Sequence, residues 1–231
     1  MRTVNVEPPA EIGVHDGLSF ALFVPASAPL ASVVVLHGAN SCKESHFDFA
    51  RACRADGLAA ICFDMRGHGE SEGALDHRAL DDVAAMAALA RDRTGVDAVA
   101  LRGSSMGGYL ALVTASGADA AAVVAICPAS AAGLARSLRD ERFEFRADPA
   151  GLGSVIARHD ELEAAERLDV PLLLLHAEGD EVVPVEHSRA LHVAAAGSRL
   201  IAVPGGHHRS IQHDAELQAV SIRFVRNAVA G

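Results

Sequence analysis

The chain has no tryptophan, one tyrosine (Tyr109) and eight phenylalanines in 231 residues, so aromatic walls for a pocket can come from few places. Cysteine is scarce as well. Cys42, Cys53, Cys62 and Cys127 show no spacing typical of a metal site or a disulfide framework. There is no C-x-x-C and no G-x-G-x-x-G after an apolar run, which argues against a dithiol redox centre and a dinucleotide cradle. Long apolar runs are missing: "AAVVAIC" and "VPLLLLHA" are far too short to span a bilayer. The opening "MRTVNVEPPAEIGVHDG" carries no apolar segment resembling a signal peptide. Positive charge is in deficit. Twenty Lys and Arg against thirty Asp and Glu give a formal net charge of −10, which argues against nucleic acid or an anionic membrane as partner. Scattered thiols in a chain this large suit a reducing compartment, so a cytoplasmic protein is expected.

What is present is a globular profile, 50% hydrophobic and 22% charged, enough to bury a core across a single domain, 1–231. Short runs apolar on both faces recur at 31–38, 58–64, 96–103, 121–127, 170–177 and 198–206. Such runs suit central strands of a parallel sheet covered on both sides. Amphipathic stretches lie between them, and Gly57, Gly95, Gly117 and Gly197 stand where each helix should hand over to a strand. Repeated βα units predict an α/β fold, a mostly parallel central sheet with helices on both faces. The alternating "TVNVEP" and "LSFALFVP" predict an antiparallel edge hairpin.

Residues 129–169 break the rhythm with one longer excursion. Two readings apply: a small lid at 130–165 that shapes a substrate site, or a surface helical pair with solvated charges. Its Leu134, Leu138, Phe143, Phe145, Leu152, Val155 and Ile156 could wall an apolar acyl pocket. Its Arg136, Arg139, Arg142, Arg146 and Arg158 alternate with acids as a solvated face does.

The stretch with most chemical content is "AVALRGSSMGGYLALV". Ser105 has Gly103 and Gly107 two residues either side, whereas Ser104 has Arg102 and Met106 there. A nucleophile on a tight strand-to-helix turn needs glycine at both flanks, because side chains would collide. The following helix start leaves the Met106 N–H free to meet a developing oxyanion. A serine also needs a base and an orienting acid. Asp180 follows the apolar run at 170–177, beside Glu178 and Glu181, which read as solvated loop charges. His207 or His208 emerges at the same rim after the run at 198–206.

With these motifs together, "VVVLHGANSCKE", "FDMRGHGES", "GSSMGGY", "GDEVVP" and "PGGHHRS", the chain resembles the α/β-hydrolase family from residue 31 to 229, in its branch of small serine esterases, lipases and peptidases. The resemblance implies an α/β-hydrolase fold with Ser105 as nucleophile and Asp180 as orienting acid. His208 is the implied base, since it stands four residues after the strand-end Pro204 and just before Arg209. It implies Ala39 as the second oxyanion donor through its backbone N–H, with Asn40 the neighbouring alternative, and a turn without chemistry for His68. No metal and no cofactor are implied. The implied partner is a small acyl substrate; monomer and homodimer both fit. His207, His208, His213 and Asp214 match no zinc-ligand spacing. A non-catalytic ligand receptor on this fold would generally lack a triad residue, and an aspartate in place of Ser105 would mark a haloalkane dehalogenase. Acyl transfer, carbon–carbon hydrolysis and perhydrolysis share the same triad.

Overall fold

The computed structural model describes residues 7–230. An edge hairpin, β1 (Glu11–His15) and β2 (Leu18–Phe23), leads into β3 (Ser32–Leu36), β4 (Ala59–Phe63) and β5 (Val99–Ser104). The sheet continues with β6 (Ala122–Ile126), β7 (Leu172–Ala177) and β8 (Arg199–Val203). The six apolar runs each form one of the strands β3–β8. Among the described residues the eight strands make one sheet in the order β1-β2-β4-β3-β5-β6-β7-β8. The hairpin and the β2–β4 pair are antiparallel, and every other pairing is parallel.

Burial explains why β3 to β7 are apolar without alternation. Every residue of these five strands is buried, because helices cover both faces. On one face α1 (Phe47–Ala55), α8 (Ser210–His213) and α9 (Ala215–Ala230) close over Val33, Val35, Ala100 and Val124. On the other, α2 (Ala79–Thr94) and α3 (Met106–Thr114) cover Val34, Leu36 and Leu101. The same core takes in α4 (Ala131–Arg139), α5 (Pro149–Arg158), α6 (Glu161–Glu166) and α7 (Val185–Ala194). Each Leu or Val so enclosed contributes about 1.5–3 kcal/mol relative to exposure.

Two local expectations are corrected. The hairpin partner of β2 is Glu11–His15 and not the stretch 3–8, of which residues 3–6 lie outside the described residues. The turn is Asp16-Gly17, both at positive φ (+50° and +79°), and Asp-Gly is the pair this tight hairpin turn demands. Gly57, Gly95 and Gly197 do take positive φ at helix ends, but the left-handed residue before β6 is Asp119, not Gly117. Asp tolerates that conformation through its short polar side chain.

The excursion at 129–169 is three helices, and it divides. The segment after α4 is tied to the body: Arg146 N–H donates to Gly67 O (3.2 Å), Leu75 N–H to Arg146 O (2.9 Å) and Asp148 N–H to Leu75 O (2.9 Å). Leu152, Val155 and Ile156 of α5 are buried beneath their own helix.

Candidate active site

The chain enters β4 on one side of β3 and β5 on the other, so the carboxyl ends of β3 and β5 flank a crevice. Ligands of open α/β sheets bind at such a switch point. Ser105 stands there between β5 and α3, with φ +53° and ψ −117°. A non-glycine residue in that conformation carries strain of order 1–3 kcal/mol. Its peptide is held by Ser105 N–H to Ile126 O (2.9 Å), while Ser105 O accepts from Tyr109 N–H and Ala129 N–H (both 3.0 Å). The flanking glycines have a steric cause. A Cβ on Gly103 would lie 2.0 Å from Gly107 O, and one on Gly107 would lie 2.4 Å from Leu36 O. The clash is therefore with backbone, not between two side chains. Asn40 (φ +56°), a residue that tolerates left-handed backbone as Asp does, and Cys127 (φ +42°), which does not, stand on the same rim.

The loop after β3 is fixed from below. His37 is fully buried; its Nδ1–H donates to Gly38 O (2.7 Å) and its Nε2 accepts Met65 N–H (3.0 Å). Burial pulls its pKa down to about 4, with His68 adding to the effect, so the ring is neutral at pH 7. Farther along, Lys43 Nζ lies 2.8 Å from carboxylate oxygens of Asp64, Glu44 and Glu70, clamping this loop to the turn after β4. Burial opposes the lysine's charge, but those three carboxylates more than offset it and raise its pKa. Ala39 N–H and Met106 N–H donate to no acceptor among the described residues. Asn40 Oδ1 accepts Glu144 N–H at 2.8 Å, joining the loop to the segment after α4. His68 is buried, stacked on Phe145 at 3.9 Å between ring centroids.

On the far side, the Asp180 side chain is fully enclosed. Its Oδ1 accepts Val182 N–H and Val183 N–H (both 2.8 Å), and its Oδ2 accepts His208 Nδ1–H at 2.7 Å. Burial alone would raise the carboxyl's pKa. The bonds from His176, His208 and the two backbone N–H groups outweigh that and hold it well below the usual carboxylate range. The structure thus pairs His208, not His207, with Asp180: His207 is exposed, and its N–H donates to Ser210 Oγ. Glu178 and Glu181 are exposed. His213 turns away, with Nδ1 3.4 Å from Asp48 Oδ2.

A cavity of about 1120 Å³ joins these groups; Ser105, Ala39, His207 and His208 all line it. No hydrogen bond joins Ser105 Oγ to the His208 ring among the described residues; the two side chains face one space. Of the excursion, 129–143 contributes walls, including Leu134 and Phe143, and 144–165 contributes none. Leu138, Phe145, Leu152, Val155 and Ile156 are therefore body contacts, not pocket. Arg136 and Arg142 are solvated, as the alternating charges suggested, yet they stand at the cavity's edge.

Sequence reasoning missed the residues behind Asp180. His176 is fully buried in β7, its Nε2 2.9 Å from Val183 O and 3.4 Å from Asp180 Oδ2, its Nδ1 2.7 Å from Ser188 Oγ. Cys127 Sγ lies with them, and these three side chains converge closely enough to hold a metal ion. Both ring nitrogens of His176 are already engaged by the protein, so the group packs and orients Asp180. One polar residue inside an otherwise apolar strand was the available signal.

A family model of the alpha/beta hydrolase fold matches residues 31–151, more than half of the chain. The chain belongs to the alpha/beta hydrolase family. A second family model, described as TAP-like protein, matches residues 154–228 of this hydrolase-fold chain. Among curated relatives, the uncharacterized protein YfhR of Escherichia coli O157:H7 is 26% identical over 193 residues. That match covers 80% of this chain and 65% of the relative, so the chain spans slightly less than two thirds of that protein's length. Est1E from Butyrivibrio proteoclasticus, solved with ferulic acid bound, superposes with TM-score 0.74 at 22% identity, covering 94% of this chain and 97% of that one. A monoacylglycerol lipase from Paleococcus ferrophilus gives TM-score 0.70 at 23% identity, covering 92% and 98%. At these identities the superpositions establish the fold. No helix among the described residues is long and apolar enough to cross a membrane.

Proposed function

We propose that the protein is a serine hydrolase that cleaves a small carboxylic ester, or a related thioester or amide, by way of an acyl-enzyme. The observation that carries this reading is Ser105, strained at φ +53° on its strand-to-helix turn, in one cavity with the hydrogen-bonded His208–Asp180 pair. Asp180 accepts from His208 Nδ1–H, which fixes the tautomer with a lone pair on Nε2, the nitrogen a general base needs. Ser105 Oγ attacks the acyl carbon as Nε2 takes its proton; the carbonyl oxygen, now an anion, meets the free N–H groups of Met106 and Ala39. Collapse breaks the bond to the leaving group, which departs with the proton from His208. Water then attacks the acyl-enzyme, gives its proton to Nε2, and Ser105 is regenerated as the acid leaves. Leu134, Phe143 and Val182 give the acyl group an apolar wall. The esterase and lipase names among the similar solved structures support ester cleavage. This reaction needs no metal or organic cofactor.

The test is turnover of p-nitrophenyl esters of graded chain length, in the presence of a chelator. Ser105→Ala, His208→Ala and Asp180→Asn should each lower kcat by about three orders of magnitude or more, because a triad acts as a unit. His207→Ala and Ser104→Ala should stay within about tenfold of wild type. Loss of activity in His207→Ala with normal turnover in His208→Ala would overturn the assignment, and activity abolished by chelator and restored by zinc would overturn the mechanism.

A further inference from the structure

A second carboxylate–histidine pair, left unused by the reaction above, presents its histidine to the cavity. His187, on the first turn of α7, lines the cavity. Its Nε2 is enclosed, has no hydrogen-bond partner among the described residues, and lies 3.6 Å from Glu161 Oε1. Glu161, on α6, is 4% exposed, and its other oxygen accepts Ala131 N–H at the start of α4 (2.9 Å). Three elements thus converge to bury a carboxylate behind a histidine that fronts the substrate space. Such burial is costly for a group with no task, since a buried carboxylate needs compensation.

The arrangement dictates what the ring can do. Burial lowers the His187 pKa, with Glu161 partly opposing the effect, so the ring is neutral near pH 7. A neutral imidazole carries one N–H, and the carboxylate draws it to Nε2. Nδ1 then holds a lone pair, has no protein partner among the described residues, and is not enclosed as Nε2 is. An acceptor at a cavity wall is matched by a donor on the ligand. Ser130 and Ser137 line the same cavity, whereas Leu134, Phe143 and Val182 supply the apolar surface.

We propose that His187, backed by Glu161, is a specificity-determining residue that accepts a hydrogen bond from a hydroxyl on the substrate, so that the enzyme prefers hydroxylated acyl groups to plain aliphatic ones. This rests on the serine-hydrolase reading. A site that pairs with a ligand hydroxyl disfavours the analogue lacking it, because its own polar atoms are then desolvated without a partner.

The test compares p-nitrophenyl hexanoate with its 3-, 4-, 5- and 6-hydroxy derivatives. Wild type should favour at least one hydroxylated ester over hexanoate by about tenfold in kcat/KM. In His187→Leu that ratio should fall to about one, whatever happens to the common rate. Glu161→Gln, which keeps an oxygen for Ala131 N–H and loses the charge, should lower the ratio by about threefold and serves if the leucine variant does not fold. Wild-type ratios near one at every position, or a preference retained in His187→Leu, would overturn the inference. Cleavage of none of the five esters would instead overturn the hydrolase reading, and the inference with it.

Discussion

His37 illustrates how a single buried residue couples the candidate site to pH. Its ring is neutral because burial disfavours the charged form and His68 adds to the effect, outweighing the bond from Nδ1–H to Gly38 O, while Nε2 accepts Met65 N–H. The folded-state pKa of about 4 lies below the unfolded value of about 6.5. The unfolded chain therefore binds the extra proton first, and stability falls as pH drops through 6.5 and goes on falling until about 4. His46, His68 and His187 are shifted in the same direction, burial being the largest cause for each. Asp180 is the opposite case: its depressed pKa contributes stability present above the ordinary carboxylate range and lost only at lower pH. Urea unfolding at pH 7, 6 and 5 should show stability falling with each step, by roughly 2 kcal/mol in total for one such histidine. Equal stability at pH 7 and pH 5 would contradict these neutral, buried rings.

At the scale of elements, the core strands and the serine turn were legible because their causes are local. A run apolar on both faces has one stable setting, between two helical layers, and β3 to β7 take it; β8, also read as such a run, is the edge strand and none of its residues is buried. Gly103-x-Ser105-x-Gly107 is legible for the same reason: two backbone contacts exclude any side chain there. Residues 3–8 alternate as a strand does and so mimic the hairpin's first strand, while the Asp16-Gly17 turn is the stronger signal and sets the pairing of Glu11–His15 with β2. The excursion is harder to read, since the same amphipathic pattern serves a pocket wall or a body contact. Phe143 and Phe145 show the difference. Phe143 lines the cavity, whereas Phe145 stacks on His68. Phe143→Ala should change acyl chain-length preference with little loss of stability. Phe145→Ala should cost about 1–3 kcal/mol of stability and leave the preference intact. A chain-length series and urea unfolding on both variants check this, and exchanged phenotypes would refute the division.

The whole molecule brings together groups far apart in the chain: a loop after β3, a turn after β5, an acid after β7 and a histidine after β8. The order of motifs in the sequence anticipated this gathering, because a parallel sheet places the ends of its strands on one rim. The His187–Glu161 pair was not anticipated, since its partners lie on α7 and α6 and only packing makes them neighbours. The central claim is that this rim activates Ser105 alone. A fluorophosphonate probe followed by intact-mass measurement and peptide mapping tests it most directly. One adduct per chain is expected on Ser105, formed equally in Ser104→Ala, absent in Ser105→Ala and slowed at least a hundredfold in His208→Ala. An unlabelled wild type, or an adduct on Ser104, would contradict it.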